Sequence, residues 1–228
     1  MEKNLTIFSS ESFIGKINNN SNTEFTIPNY IAYILKISEI IKNKTNNKFN
    51  VTLNALHNKH TNKQPSIKIK NNKIMLNNNF KIDLGGIAKG FAIEETFKII
   101  NKYEIKNAII ELGGDIKAIG KNKENETWKI KININTKNIK NNYIELNNES
   151  IASSGQFIKN IITKKYDAKK HIIDPITMSN KNYYNLTTVN GPNTTICDAL
   201  STACYNTPIQ EIKILKQNFP KYRFKIFI

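Results

Sequence analysis

The sequence predicts an α+β fold, with mixed and antiparallel sheets and packed helices. Three observations carry that expectation. Residues 67–70 and 73–76 alternate apolar and polar side chains on either side of Asn71-Asn72, the pattern of a hairpin. Residues 28–43 and 88–103 show helical spacing instead. Strands and helices do not alternate strictly as βαβ units, which disfavours a doubly wound parallel sheet.

Taken in order, residues 5–8 are expected to form a short strand running into a Ser-rich turn at Ser9–Ser12. From Pro28, the residues Ile31, Ile34, Leu35, Ile37, Ile40 and Ile41 share one broad face, and Pro suits the start of a helix. FNVTLNAL at 49–56 is a short apolar segment leading into a polar stretch with His57 and His60, and the 67–76 hairpin follows. Residues 80–83 read as a strand end and DLGGIAKG at 83–90 as a Gly-rich turn. Ala92, Ile93, Phe97 and Ile100 then resume helical spacing. NAIIEL at 107–112 reads as a buried strand ending in Gly113-Gly114-Asp115. Further strands are expected at 128–134, 143–146, 151–157 (breaking at Gly155) and 186–189. A GPN turn then leads to a helix beginning near Asp198.

The 228 residues can bury a core, and a hydrophobic share of 39% is above the disordered range. A formal charge of +16 would fit a nucleic-acid partner. Yet Arg223 is the only Arg, and Arg is the residue that makes bidentate phosphate and base contacts. The Lys, Asn and Ile enrichment reads as a solvated basic surface, and nucleic acid is not the expected partner. Cys197 and Cys204 lie on a predicted helix with roughly 10 Å of rise between them, too far for a disulfide. They read as buried thiols.

Two segments carry candidate chemistry. In DLGGIAKG, a Gly-rich turn entering a helix presents backbone N–H groups and a helix dipole to an anion. A tight structural turn explains the same spacing equally well. Lys89 would meet a phosphate or point to solvent, and Asp83 would cap the turn or hold a polar ligand group. In DALST at 198–202, Asp198 and Thr202 share a helix face, and such oxygen ligands suit magnesium. The competing reading makes Asp198 a plain N-cap. In HIIDP at 171–175, His171 and Asp174 read as a proton shuttle with its orienter, or as satisfied structural groups. HNKH at 57–60 has no acidic or Cys partner nearby and reads as a polar loop. GGD at 113–115 and SSG at 153–155 mark close backbone approaches.

The order of these motifs resembles the ApbE family of FAD:protein FMN transferases. The resemblance rests on DLGGIAKGFA (83–92), LGGD (112–115), Trp128, ASSG (152–155), HIIDP and DALST. LTIFSSES (5–12) and KFNVTLNAL (48–56) support it upstream. It implies an ApbE-like fold and FAD as substrate. A magnesium ion would be held by Asp198, Thr202 and the backbone carbonyl of Gly86. The implied reaction moves FMN to a Thr or Ser hydroxyl of an acceptor flavoprotein, a respiratory membrane-complex subunit being the usual target, and releases AMP. The resemblance places Phe8, Lys48, Phe49, Asn50, Asp83, Lys89 and Ile173 along the FAD site, with His171 and Asp174 as catalytic candidates.

The chain departs from the pattern in places. Asn50 stands where an Asp is usual, Lys170 where a second His is common, and Ser153 where Thr is common. The family's first strand, with its Met-Gly-Thr-type segment, is expected to be missing from what is otherwise a single domain over residues 1–228. No signal peptide stands at the N-terminus, which implies the cytoplasm, whereas the family is commonly periplasmic or membrane-anchored. Two other readings compete: a relative that binds FAD or hydrolyses it to FMN and AMP, and, remotely, a basic nucleic-acid-binding protein.

Overall fold

The computed structural model describes residues 2–20, 22–52, 67–76, 81–133, 142–155, 172–177, 179–180 and 183–228. Along the chain run α1 (Glu2–Leu5), α2 (Phe13–Asn19), β1 (Glu24–Thr26), α3 (Asn29–Lys44), β2 (Ile67–Lys70) and β3 (Lys73–Leu76). Next come α4 (Ala88–Lys102), β4 (Ala108–Leu112), β5 (Asp115–Ile119), β6 (Trp128–Lys131), β7 (Tyr143–Leu146) and β8 (Ser150–Gly155). The chain closes with β9 (Leu186–Gly191), α5 (Thr194–Tyr205), α6 (Ile212–Asn218) and β10 (Arg223–Phe227).

Every strand pair among the described residues is antiparallel. The α+β expectation is therefore met. One sheet has the order β1-β3-β2, a second the order β10-β9-β8-β5-β4, and β6 pairs with β7 alone. Pleating divides the five-stranded sheet between two cores. Ala152 of β8 and Val189 of β9 face Cys197, Ala199 and Leu200 of α5, in a core shared with α3 and β3. Their neighbours Ile151 and Leu186 face the other way, onto Trp128, Ile130, Ile144 and Leu146 of the β6–β7 pair. The sheet thus carries α5 on one face and a hairpin on the other.

Local chemistry explains the better-read elements. Asn71 and Asn72 take φ of 49° and 57°, the left-handed pair that a two-residue hairpin turn needs. Pro28 precedes α3, whose Ile31, Ile34, Leu35 and Ile41 are buried. Ile40, assigned to the same face, is instead 55% exposed. Cys197 and Cys204 are free and buried, as expected.

Other expectations are corrected. Residues 5–8 form no strand: Leu5 ends α1, and a Ser9–Ser12 turn hands over to α2, whose Gly15 amide is capped by Ser12 Oγ at 2.8 Å. Of the expected strand end at 80–83, residues 81–83 are not a strand and residue 80 lies outside the described residues; Asp83 N–H donates to Val51 O at 2.7 Å in irregular backbone. β4 is the outer strand of its sheet, and Ile109 and Leu112 are exposed rather than buried. The α5 helix begins one turn earlier than expected, because Asn193 of the GPN turn caps it by accepting from Ile196 N–H at 3.1 Å. His57 and His60 lie outside the described residues.

Candidate functional site

The Gly-rich turn ends in α4, and α5 crosses directly against it. Gly90 makes this possible: a Cβ there would fall 2.9 Å from Asp198 Cβ and closer still to the Thr194 carbonyl. The Gly90 amide donates to Asp198 Oδ2 at 3.0 Å. Asp198 sits in the second turn of α5, where it does not cap its own helix but accepts from a first-turn amide of α4, and it is 2% exposed. The N-cap reading of Asp198 is thereby excluded.

Lys89 closes a charged cluster. Its Nζ lies 3.0 Å from Asp198 Oδ1 and 2.9 Å from Oδ2 of Asp115, itself almost wholly buried. The other oxygen of Asp115, Oδ1, accepts from Ser153 N–H at 3.4 Å. Burial pushes the Asp115 carboxyl up to about 7, Asp198's charge adds to the rise, and Lys89 opposes it. On Lys89 burial works against the charge, but the two carboxylates hold its ammonium well above the usual lysine range.

Thr202, one turn beyond Asp198, reaches the Gly-rich turn itself. A Cβ on Gly86 would lie 3.1 Å from Thr202 Oγ1 and 3.3 Å from the Phe49 ring. The Thr202 hydroxyl is 3.3 Å from Ser154 Oγ, which is 2.7 Å from Ser201 Oγ. The structure therefore brings together Gly86, Lys89, Asp198 and Thr202, with Phe49 behind them. No group of three or more His, Cys, Asp and Glu that could hold a metal occurs among the described residues. What Asp198, Thr202 and the Gly86 carbonyl offer is a sparse set of hard oxygens. That donor chemistry fits a magnesium-like cation that keeps waters and phosphate oxygens as its other ligands. Two buried carboxylates share the one lysine ammonium there.

The remaining candidates divide. Asp83 Oδ1 accepts from Gly85 N–H at 2.8 Å, so it shapes the turn. Asn50 is buried and accepts from Thr52 N–H and Oγ1 at 2.9 and 2.7 Å, while its amide donates to Asn47 Oδ1 at 3.0 Å. Lys48 pairs with Glu211 at 3.5 Å. The backbone carbonyls of Lys48 and Ile173 are joined through the side-chain amide of Asn206, at 3.3 and 3.2 Å. Asp174 is buried and accepts from Ile176 N–H at 2.8 Å, holding the turn that follows it. Phe8 is 91% exposed. His171 lies outside the described residues.

Asp115 and Asn206 join the site only through tertiary contacts, to Lys89 and to the Lys48 and Ile173 carbonyls. Asp115 does carry a signal in its place in LGGD, a motif that supports the family resemblance and marks a close backbone approach without assigning its carboxylate a role. Nothing in the pattern around Asn206 pointed to a bridge between two distant segments.

A family model described as the ApbE family matches residues 1–224. An FAD:protein FMN transferase of Haemophilus influenzae is 33% identical over 130 residues, covering 54% of this chain and 37% of the relative. One from Buchnera aphidicola is 30% identical over 206 residues, covering 77% of this chain and 60% of the relative. The chain thus spans less than two thirds of the length of these curated relatives. Among solved structures, an ApbE protein of Thermotoga maritima superposes with a TM-score of 0.83 at 23% identity, covering 98% of this chain and 81% of that one. The apo flavinyl transferase ApbE of Pseudomonas stutzeri gives 0.80 at 17% identity, covering 99% and 81%. At these identities the structural likeness establishes the fold.

Proposed function

Because this chain belongs to the ApbE family, we propose that it transfers FMN from FAD to a Thr or Ser hydroxyl of an acceptor protein with the help of magnesium. The observation that carries the reading is the meeting of Lys89, Asp198 and Thr202 at the Gly-rich turn. An ammonium group meets hard oxygen ligands there, beside the N-terminus of α4, which is what a pyrophosphate and its cation require.

The reaction balances simply. The acceptor hydroxyl oxygen bonds to the FMN-side phosphorus, the bridging P–O bond breaks, AMP leaves with the bridging oxygen, and the hydroxyl proton passes to a base. Asp198, Thr202 and the Gly86 carbonyl would hold magnesium, which neutralises pyrophosphate charge when bound. Lys89 adds a fixed positive charge, and Asp115 holds that ammonium in place. His171 is the candidate base, with Asp174 fixing the turn that follows it in sequence. Lys48, Phe49, Asn50, Asp83 and Ile173 would line the FAD site and supply alignment.

The test is covalent labelling. Incubated with FAD, magnesium and a domain bearing a verified flavinylation site, the protein should render that domain fluorescent in a denaturing gel. Folded protein that gives no labelled band overturns the reading. Free FMN and AMP appearing without labelled protein would replace it with FAD hydrolysis.

A further inference from the structure

Behind the candidate site lies a second set of buried charges that the proposed reaction does not use. Lys117 of β5 places Nζ 2.9 Å from Glu94 Oε1, with both side chains almost wholly buried. The same ammonium donates to Pro192 O at 3.1 Å and Ser150 Oγ at 3.4 Å, and stands 4.5 Å from the centroid of the Phe97 ring. Glu94 Oε1 also accepts from Thr194 N–H at 2.6 Å and Thr194 Oγ1 at 2.9 Å. Thr194 is the first residue of α5, and its hydroxyl is 2.7 Å from Ser150 Oγ. Four elements meet here: α4, β5, β8 and α5.

The spacing ties this cluster to the site. Gly90 and Glu94 are one turn apart on α4, and Thr194 and Asp198 are one turn apart on α5. Gly90 bonds Asp198 while Glu94 bonds Thr194, so two antiparallel helices are latched at two points. Glu94 also places a carboxylate at the N-terminus of α5, where the helix dipole favours negative charge. Burying a charged pair costs desolvation that an apolar pair would avoid, so stability alone is a poor account of its presence.

We infer that Glu94 and Lys117 are positioning residues, which fix the register of α5 against α4 and so set Asp198 and Thr202 opposite Gly86. Lys117 supplies the neutralising charge, and Glu94 supplies the acceptor that holds Thr194. The inference rests on the reading of Asp198 and Thr202 as cation ligands.

Two double variants separate positioning from stability. Glu94→Leu with Lys117→Met removes both charges and the acceptor; Glu94→Gln with Lys117→Met removes both charges but keeps an acceptor for Thr194. Thermal melts establish folding, and affinity for Mn2+, standing in for Mg2+, is read from the free-ion electron paramagnetic resonance signal with FAD present. Metal affinity should fall roughly tenfold in the Leu/Met protein, as when an outer-shell partner of a metal ligand is lost, and stay near wild type in the Gln/Met protein. The Mg2+ dependence of FMN transfer should shift in parallel, with kcat at saturating Mg2+ largely kept.

Unchanged Mn2+ affinity in folded Leu/Met protein, or an equal loss in both variants, overturns the inference. Should the Leu/Met protein not fold, Thr194→Val removes the hydroxyl that bonds Glu94 and Ser150 while keeping both charges. A several-fold loss of affinity supports positioning and wild-type affinity refutes it. Wild-type protein that binds Mn2+ but transfers no FMN sinks the proposed reaction and leaves the positioning role standing. Wild-type protein that binds no Mn2+ overturns the positioning role itself.

Discussion

The amide of Gly90 donates to the carboxylate of Asp198 at 3.0 Å, across an interface between α4 and α5 that no residue larger than glycine would permit. The contact fixes the distance between the Gly-rich turn and the helix face that carries Thr202. It also explains why a helical position is given to glycine, a poorer helix former than alanine.

Gly90→Ala should therefore destabilise the protein, although alanine is the better helix former. The added Cβ would press on the Thr194 carbonyl and on Asp198 Cβ, and overpacking of this kind costs about 1–3 kcal/mol. Urea denaturation should show the loss, and FMN labelling should fall further than the folded fraction does, because Asp198 must move. A variant as stable as wild type would mean that the helices separate without strain.

Lys89→Met removes the cation shared by Asp115 and Asp198. Breaking a fully buried pair is strongly destabilising, but the Lys89 side chain is 37% exposed, so solvent screening reduces the expected cost to about 1–2 kcal/mol. Labelling should drop by at least tenfold, since the pyrophosphate loses a fixed positive charge. Full labelling activity in this variant would remove Lys89 from the site.

Asn206→Leu tests the bridge between the segments holding Lys48 and Ile173. The change leaves two carbonyls without their shared donor, a penalty of about 1–3 kcal/mol when such groups are buried. If these segments line the FAD site, KM for FAD should rise several-fold with a smaller change in kcat. A change confined to the melting temperature would make the bridge purely structural.

How much of this was legible in the sequence follows from the range of the interactions involved. The 67–76 hairpin and the bodies of α3 and α4 were readable because periodicity and turn residues are local. The beginning of β5 was not. Gly113 and Gly114 take φ of 59° and 91° and form the turn between paired Leu112 and Asp115, so GGD opens a new strand rather than closing an old one. That shift carries Asp115 into the buried cluster with Lys89. Lys89, Asp198 and Thr202 were named from their motifs, but Glu94 and Lys117 could not be. Each looks like an ordinary surface charge until α4, β5 and α5 are assembled.

Stability at alkaline pH gives a prediction outside the site. Cys204 packs against Ile212 and Leu215, and burial pushes its thiol from 9.0 up to about 12, with Lys216 opposing only weakly. The folded chain therefore keeps a proton that the unfolded chain releases. The stability this gives is fully present below pH 9 and is lost as pH rises from about 9 to about 12, because the native state binds more protons across that window. Tyr184, raised by burial to about 12, and Cys197, also raised, act in the same direction. Unfolding free energy measured by urea titration at stepped pH should fall steadily above pH 9. Cys204→Ala should be less stable at neutral pH, having lost packing, yet decline with a shallower slope above pH 9. Parallel slopes for the two proteins would show that the thiol already ionises in the folded state. Iodoacetamide, which needs the thiolate, gives an independent check: both cysteines should resist it at pH 8 in native protein and react on unfolding.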